Sequence, residues 1–232
     1  YVVVKGLDRD RRSVCVDSNI TGGKGADYLV VQNLILRNGR IVSSGTLNSR
    51  SGVCHSTIEN VWTYGDIKHS MNPPHCWSQW PDETRYMRAF NSDLGPTTNQ
   101  NTSCYGIAKC IAVSSRFHCK RRECGSPWLE PGEPCSEQPL AKDISHNYHS
   151  IGFRNYIVDN VFEGKASWSL DIAGCSVSYV AGNTFIVEED SDKAVIGLTG
   201  QRPHAIVRDE DNMRCSVNPD YASVLIEDNT FV

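Results

Sequence analysis

The sequence predicts an all-β protein wound as a solenoid. Three observations predict it: β-type segments that recur along the chain, a polar turn residue at one place in most of them, and the near absence of helical periodicity. Within each segment apolar and polar residues alternate, which gives a strand one inward face. No single copy can bury that face, whereas copies stacked along an axis bury it continuously.

The copies follow in chain order. Tyr1 to Lys5 reads as a strand, and Gly22-Gly23-Lys24-Gly25 lacks the spacing of a phosphate loop and reads as a turn. Leu29 to Leu36, Ser56 to Trp62 and Tyr156 to Phe162 share one shape, a β-rich run, then Asn, then an apolar residue. Val177 to Phe185 and Val224 to Phe231 repeat it, and weaker copies lie at 86–92, 111–117 and 205–209. Asn160, Asn183 and Asn229 are 23 and then 46 residues apart, and Asn33, Asn60 and Asn91 are 27 and then 31 apart. A step of roughly 20–30 residues with β periodicity is that of a solenoid. An Asn at one corner of every coil can adopt the left-handed region and bond to its neighbours in a ladder. An antiparallel β-sandwich also alternates, but the recurring Asn-x-Phe corner favours the solenoid.

The segments Asn-Leu-Ile-Leu-Arg-Asn-Gly at 33–39, Glu-Asn-Val-Trp at 59–62, Asp-Asn-Val-Phe at 159–162 and Glu-Asp-Asn-Thr-Phe at 227–231 resemble the coils of right-handed parallel β-helix proteins, the pectate-lyase-like folds. The resemblance covers most of 1–65 and 150–232 and implies about eight coils. It also implies chemistry on acidic polysaccharides, with Lys or Arg as base, carboxylates and often calcium. The family motifs are missing, however. There is no Trp-Ile-Asp-His, no Asn-Thr-Asp with Gly-His-Gly and no Asp-Pro-His, and Asn72-Pro73-Pro74-His75 lacks the carboxylate. No catalytic residue carries over, and whether the chain is an enzyme stays open.

Residues 1–232 read as one β-helix domain with loop insertions at about 66–105 and 118–150, where the Pro and Gly dipeptides gather. Ten cysteines, Cys15, Cys54, Cys76, Cys104, Cys110, Cys119, Cys124, Cys135, Cys175 and Cys215, are an even and high count. Six of them fall between 76 and 135, where packing is poorest, so they read as disulfides in an oxidising compartment. Zinc held by His118, Cys119, Cys124 and Cys135 is the rival, without the paired CxxC or CxH spacing of structural zinc sites. Asn19-Ile20-Thr21 and Asn101-Thr102-Ser103 are glycosylation acceptors. A net charge of −4 gives no pull toward nucleic acid, and no apolar run reaches the roughly 20 residues of a membrane span. The expected localisation is secreted or cell surface.

Trp77, Trp80 and Trp128 are loop candidates for stacking on sugar rings. Lys120-Arg121-Arg122, beside His118, could neutralise a uronate carboxylate or stand as a solvated charge run. Glu188-Glu189-Asp190 with Asp192, and Asp209-Glu210-Asp211, offer oxygen ligands for calcium without a recognised spacing. His146 and His149 lack an evident third metal ligand, and Asp171 reads as a polar coil residue. No cofactor is required, with calcium the one cation kept open. Tyr1 and Val232 both lie within strands, so the chain reads as an excerpt of a longer protein or as one whose ends stack on neighbouring copies. The function expected is an extracellular structural or glycan-associated protein, part of a surface filament or matrix. The alternative is a polysaccharide lyase, epimerase or hydrolase acting on acidic glycans in a groove along the β-helix.

Overall fold

The computed structural model describes residues 2–6, 15–16, 20–22, 28–37, 41–43, 55–64, 71–72, 86–95, 100–105, 109–118, 144–151, 154–164, 166–173, 176–187, 195–199 and 223–232. These residues are all-β, without a helix, and every strand pairing among them is parallel. That arrangement excludes two facing antiparallel layers for the described part of the chain.

The strands fall into three ladders. The first joins β1 (Val2–Lys5), the leading halves of β4 (Tyr28–Arg37) and β6 (His55–Tyr64), β8 (Tyr86–Phe90), β11 (Lys109–Val113), β14 (Arg154–Val158), β17 (Val177–Ala181) and β20 (Ser223–Glu227). The second joins β2 (Cys15–Val16), the trailing halves of β4 and β6, β9 (Asp93–Leu94), β12 (Arg116–His118), β15 (Val161–Glu163), β18 (Thr184–Ile186) and β21 (Thr230–Phe231). The third is a separate sheet of β3 (Ile20–Gly22), β5 (Ile41–Ser43), β7 (Met71–Asn72), β10 (Gln100–Tyr105), β13 (Ile144–Ile151), β16 (Ala166–Ala173) and β19 (Ile196–Thr199). The chain visits the ladders in this order again and again, so the first two form one sheet that curls at a corner. Strands at 71–72, 86–90, 93–94 and 100–105 lie inside the first stretch read as an insertion, and the strand at 144–151 overlaps the end of the second.

Alternation places the core. Val31, Ile58, Ala89, Ala112, Ile157 and Val180 share one register column of the first ladder and are buried in one cluster. Phe117, Phe162 and Phe185 form the matching column of the second ladder, continued by Phe231. Their rings stack with centroids 5.2, 4.9 and 5.2 Å apart and planes within 13° of parallel. The spacing follows from the roughly 4.8 Å between strands, and each fully buried Phe contributes about 1.5–3 kcal/mol.

The corner differs from the sequence expectation of one asparagine column, because two adjacent columns share the work. The left-handed position holds Asn33, Asn60, Asn91, Ser114, Asp159, Gly182 and Asp228, with φ from 45° to 65°. Asn, Asp and Gly bear this region at least cost. The next position holds Leu34, Val61, Ser92, Ser115, Asn160, Asn183 and Asn229, where the asparagines form the ladder. Asn183 Oδ1 accepts from the Asn160 backbone N–H at 2.9 Å and from its Nδ2 at 3.0 Å. Asn183 Nδ2 donates to the Ile157 carbonyl and to Asn229 Oδ1, both at 2.9 Å. Asn160 Oδ1 takes the Ser115 N–H at 3.0 Å, Ser115 Oγ takes that of Ser92 at 3.2 Å, and Ser92 Oγ takes that of Val61 at 3.2 Å. Backbone donors that the bend would orphan are thereby satisfied. Asn33 and Asn60 bond to each other in the outer column, Asn60 Nδ2 donating to Asn33 Oδ1 at 2.8 Å.

Candidate functional site on the outer face of the first ladder

Exposure separates the three outer faces. On the second ladder, Asp93, Arg116, His118 and Glu163 flank the core residues Leu94, Phe117 and Phe162, so alternation turns them away from the core, yet all four are buried. His118 Nε2 meets Asp93 Oδ1, and Arg116 Nε donates to Glu163 Oε2 at 3.0 Å. Gly95 is required beside this quartet, since a Cβ there would lie 1.9 Å from the His118 carbonyl oxygen. Ile35 and Trp62 form a small apolar cluster on the same face. On the third ladder, Asn147, His149, Ser169 and Asp171 turn away from Tyr148 and Leu170 and are likewise buried. His149 Nε2 stands 3.3 Å from Asp171 Oδ2. Polar side chains closed from solvent in this way are out of reach of a polymeric substrate.

The first ladder presents an outer face on which only His55 and Ala181 are buried among the described residues. Its outward residues fall into three columns set by register. One runs Tyr28, His55, Tyr86, Lys109, Arg154, Val177, Ser223. The second runs Val30, Thr57, Arg88, Ile111, Tyr156, Tyr179, Leu225. The third runs Gln32, Glu59, Phe90, Val113, Val158, Ala181, Glu227. Tyr156 is 46% exposed, Val177 39% and Leu225 53%. A groove of about 560 Å³ lies here, lined by Lys109, Arg154, Tyr156, Val177, Tyr179 and Leu225 among others.

Parallel in-register pairing builds the groove's aromatic content. Tyr156 and Tyr179 are direct partners, with ring centroids 5.5 Å apart and planes 31° from parallel. Tyr28 stacks on His55 at 4.3 Å, His55 meets the Tyr86 edge at 5.2 Å, and the Arg88 guanidinium lies over Tyr86 at 3.9 Å. Tyr179 donates its hydroxyl to Glu227 Oε1 at 2.8 Å, and that hydrogen bond to a carboxylate, with Glu227's charge, raises the phenol above its ordinary range. Gln32 Nε2 donates to Glu59 Oε2 at 2.6 Å at the other end of the face. Flat tyrosine faces beside cations can stack on the C–H faces of sugar rings and pair with their acidic groups.

The sequence candidates fall elsewhere. Trp77, Trp80, Trp128, Lys120, Arg122, Asn19 and the acidic turns at 188–192 and 209–211 lie outside the described residues. Asn101 sits on β10, with its side chain outside them. Of the ten cysteines only the Cys110 side chain is described, buried in the core. His149 faces Asp171, and the His146 side chain is not described. Among the described residues no three His, Cys, Asp or Glu side chains gather as metal ligands, and no helix is long and apolar enough to cross a membrane. The tyrosine groove was missed although its signal was present. Tyr156 and Tyr179 are 23 residues apart, the same step as Asn160 to Asn183, at an outward position of the repeat. Comparison with family models, with curated proteins and with solved structures returns no match.

Proposed function

We propose that this chain is an extracellular glycan-associated protein, built as a right-handed parallel β-helix of about eight coils and cross-linked by disulfides. The parallel, in-register ladders visited in a fixed order support the winding. The observation that carries the glycan reading is the groove in which Tyr156 and Tyr179 stand in register beside Lys109 and Arg154, on the one outer face whose aromatic and cationic residues are open to solvent among those described. Among the described residues the other two outer faces bury their charged groups, which favours this ladder as the surface for a long ligand.

The test is calorimetric titration of the whole chain with acidic and neutral oligosaccharides. Replacing Tyr156 and Tyr179 together by Ala is expected to weaken binding by about tenfold or more, equivalent to ~1.4 kcal/mol. Unchanged affinity in a double variant with a native circular dichroism spectrum would exclude this groove. Ultraviolet absorbance of unsaturated products in the same mixtures separates binding from lyase turnover, and binding without turnover is the expected result.

A further inference from the structure

We infer that the groove selects a glycan in which two or three adjacent anionic residues adjoin an uncharged stretch, over a uniformly charged or a uniformly neutral chain. The inference rests on the glycan reading above and adds the charge pattern of the ligand.

The argument comes from how charge is distributed along the stacking axis. The cations Arg88, Lys109 and Arg154 sit on three successive strands, β8, β11 and β14. Neighbouring strands are ~4.8 Å apart, so the three span about 10 Å along the axis. A sugar chain laid along the axis advances about one strand per residue, so this stretch matches two or three consecutive acidic residues. Beyond β14 the outward positions become Val177 and Tyr179 on β17, then Ser223 and Leu225 on β20. These side chains are uncharged and favour the apolar faces of neutral sugars.

Carboxylates bound the cationic stretch at both ends. Glu59 lies one strand before Arg88, and Glu227 lies two strands beyond Arg154, both exposed. Gln32 and Tyr179 hydrogen-bond to these carboxylates without neutralising them. A sugar residue laid over β17 lies one strand step, about 5 Å, from β20 and its Glu227, inside the screening length of ~8 Å at physiological salt, so repulsion reaches a fully anionic chain that runs on past β14. A fully neutral chain forgoes the three cations.

Three hexasaccharides test this by titration calorimetry: an all-uronate chain, its fully carboxyl-esterified counterpart, and one with a free-acid block joined to an esterified block. The mixed chain is expected to bind about five- to tenfold more tightly than either. Lys109→Gln with Arg154→Gln should bring the mixed chain down to the affinity of the neutral one. Glu227→Gln keeps an acceptor for the Tyr179 hydroxyl and should tighten only the all-uronate chain. Equal affinities for all three, or tightest binding of the all-uronate chain, overturn the charge-pattern inference and leave glycan binding intact. Failure of all three to bind overturns the glycan reading and this inference together. Thermal melts of each variant identify any loss that arises from unfolding.

Discussion

The early repeats and the late repeats turn the same corner by different chemistry. In β4 and β6 the strand runs unbroken through Asn33 and Asn60, and the next inward position is aliphatic, Leu34 or Val61. From β8 onward the strand breaks at the corner, and from β14 onward the left-handed residue is Asp159, Gly182 or Asp228 and the inward position is an asparagine. The early corner keeps a dry interior and puts its polar ladder outside. The late corner buries a chain of amides in which each Oδ1 takes a backbone N–H and each Nδ2 feeds a carbonyl. A buried amide is tolerable only when every group is satisfied. Repetition supplies that condition, since each asparagine finds its partner in the next. Ser92 and Ser115, between the two regimes, accept one N–H each and mark the transition.

This contrast can be broken most strongly at the aromatic stack. Phe162→Ala removes a ring held between Phe117 and Phe185, and should cost about 3–5 kcal/mol in urea unfolding. Asn183→Leu imposes the early corner on a late repeat. It leaves the Asn160 N–H and the Ile157 carbonyl without this partner, with an expected loss of about 2–4 kcal/mol. A loss below ~1 kcal/mol would show that water replaces the amide and that the two corners are interchangeable. Gly95→Ala drives a methyl into the His118 carbonyl and should cost about 1–3 kcal/mol. Asn60→Ala, in the outer column, should cost about 1–2 kcal/mol through its positive φ, with Asn60→Gly recovering most of it.

The smallest effect at neutral pH is expected at Tyr148. Its ring packs edge-on against Phe117, its hydroxyl is buried without a hydrogen-bond partner among the described residues, and burial raises the phenol well above its ordinary value. The unfolded chain ionises this tyrosine near pH 10 while the folded chain keeps its proton. The unfolded state then binds fewer protons, so stability is intact below about pH 10 and falls as pH rises further. Tyr148→Phe should gain about 1 kcal/mol at neutral pH by removing an unpaired polar group. It should also flatten this alkaline loss, which unfolding midpoints between pH 8 and 11 would reveal.

Much of the architecture is legible in one dimension because each strand of the parallel ladders pairs with the corresponding strand of the next repeat. The period-two alternation, the 23-residue step of Asn160 and Asn183, and Phe two residues after each late asparagine are local patterns. They mark strands, corner and core without knowledge of distant contacts. The column offset is not legible, since Asn33 and Asn160 look alike in the chain, yet Asn33 takes the left-handed position and Asn160 the buried position after it, and their amides reach different neighbours.

Left to itself, then, the chain's pattern settles that strands of alternating character recur and where they bend, because backbone preference and side-chain period are properties of short segments. Which outer face stays open depended on three-dimensional packing. Arg116, His118 and Glu163 are as polar as Lys109 and Arg154, yet the first three are buried and the groove forms beside the second pair. Burial is set by what lies across a face, and register between residues tens of positions apart is what brings Tyr156 and Tyr179 beside those cations.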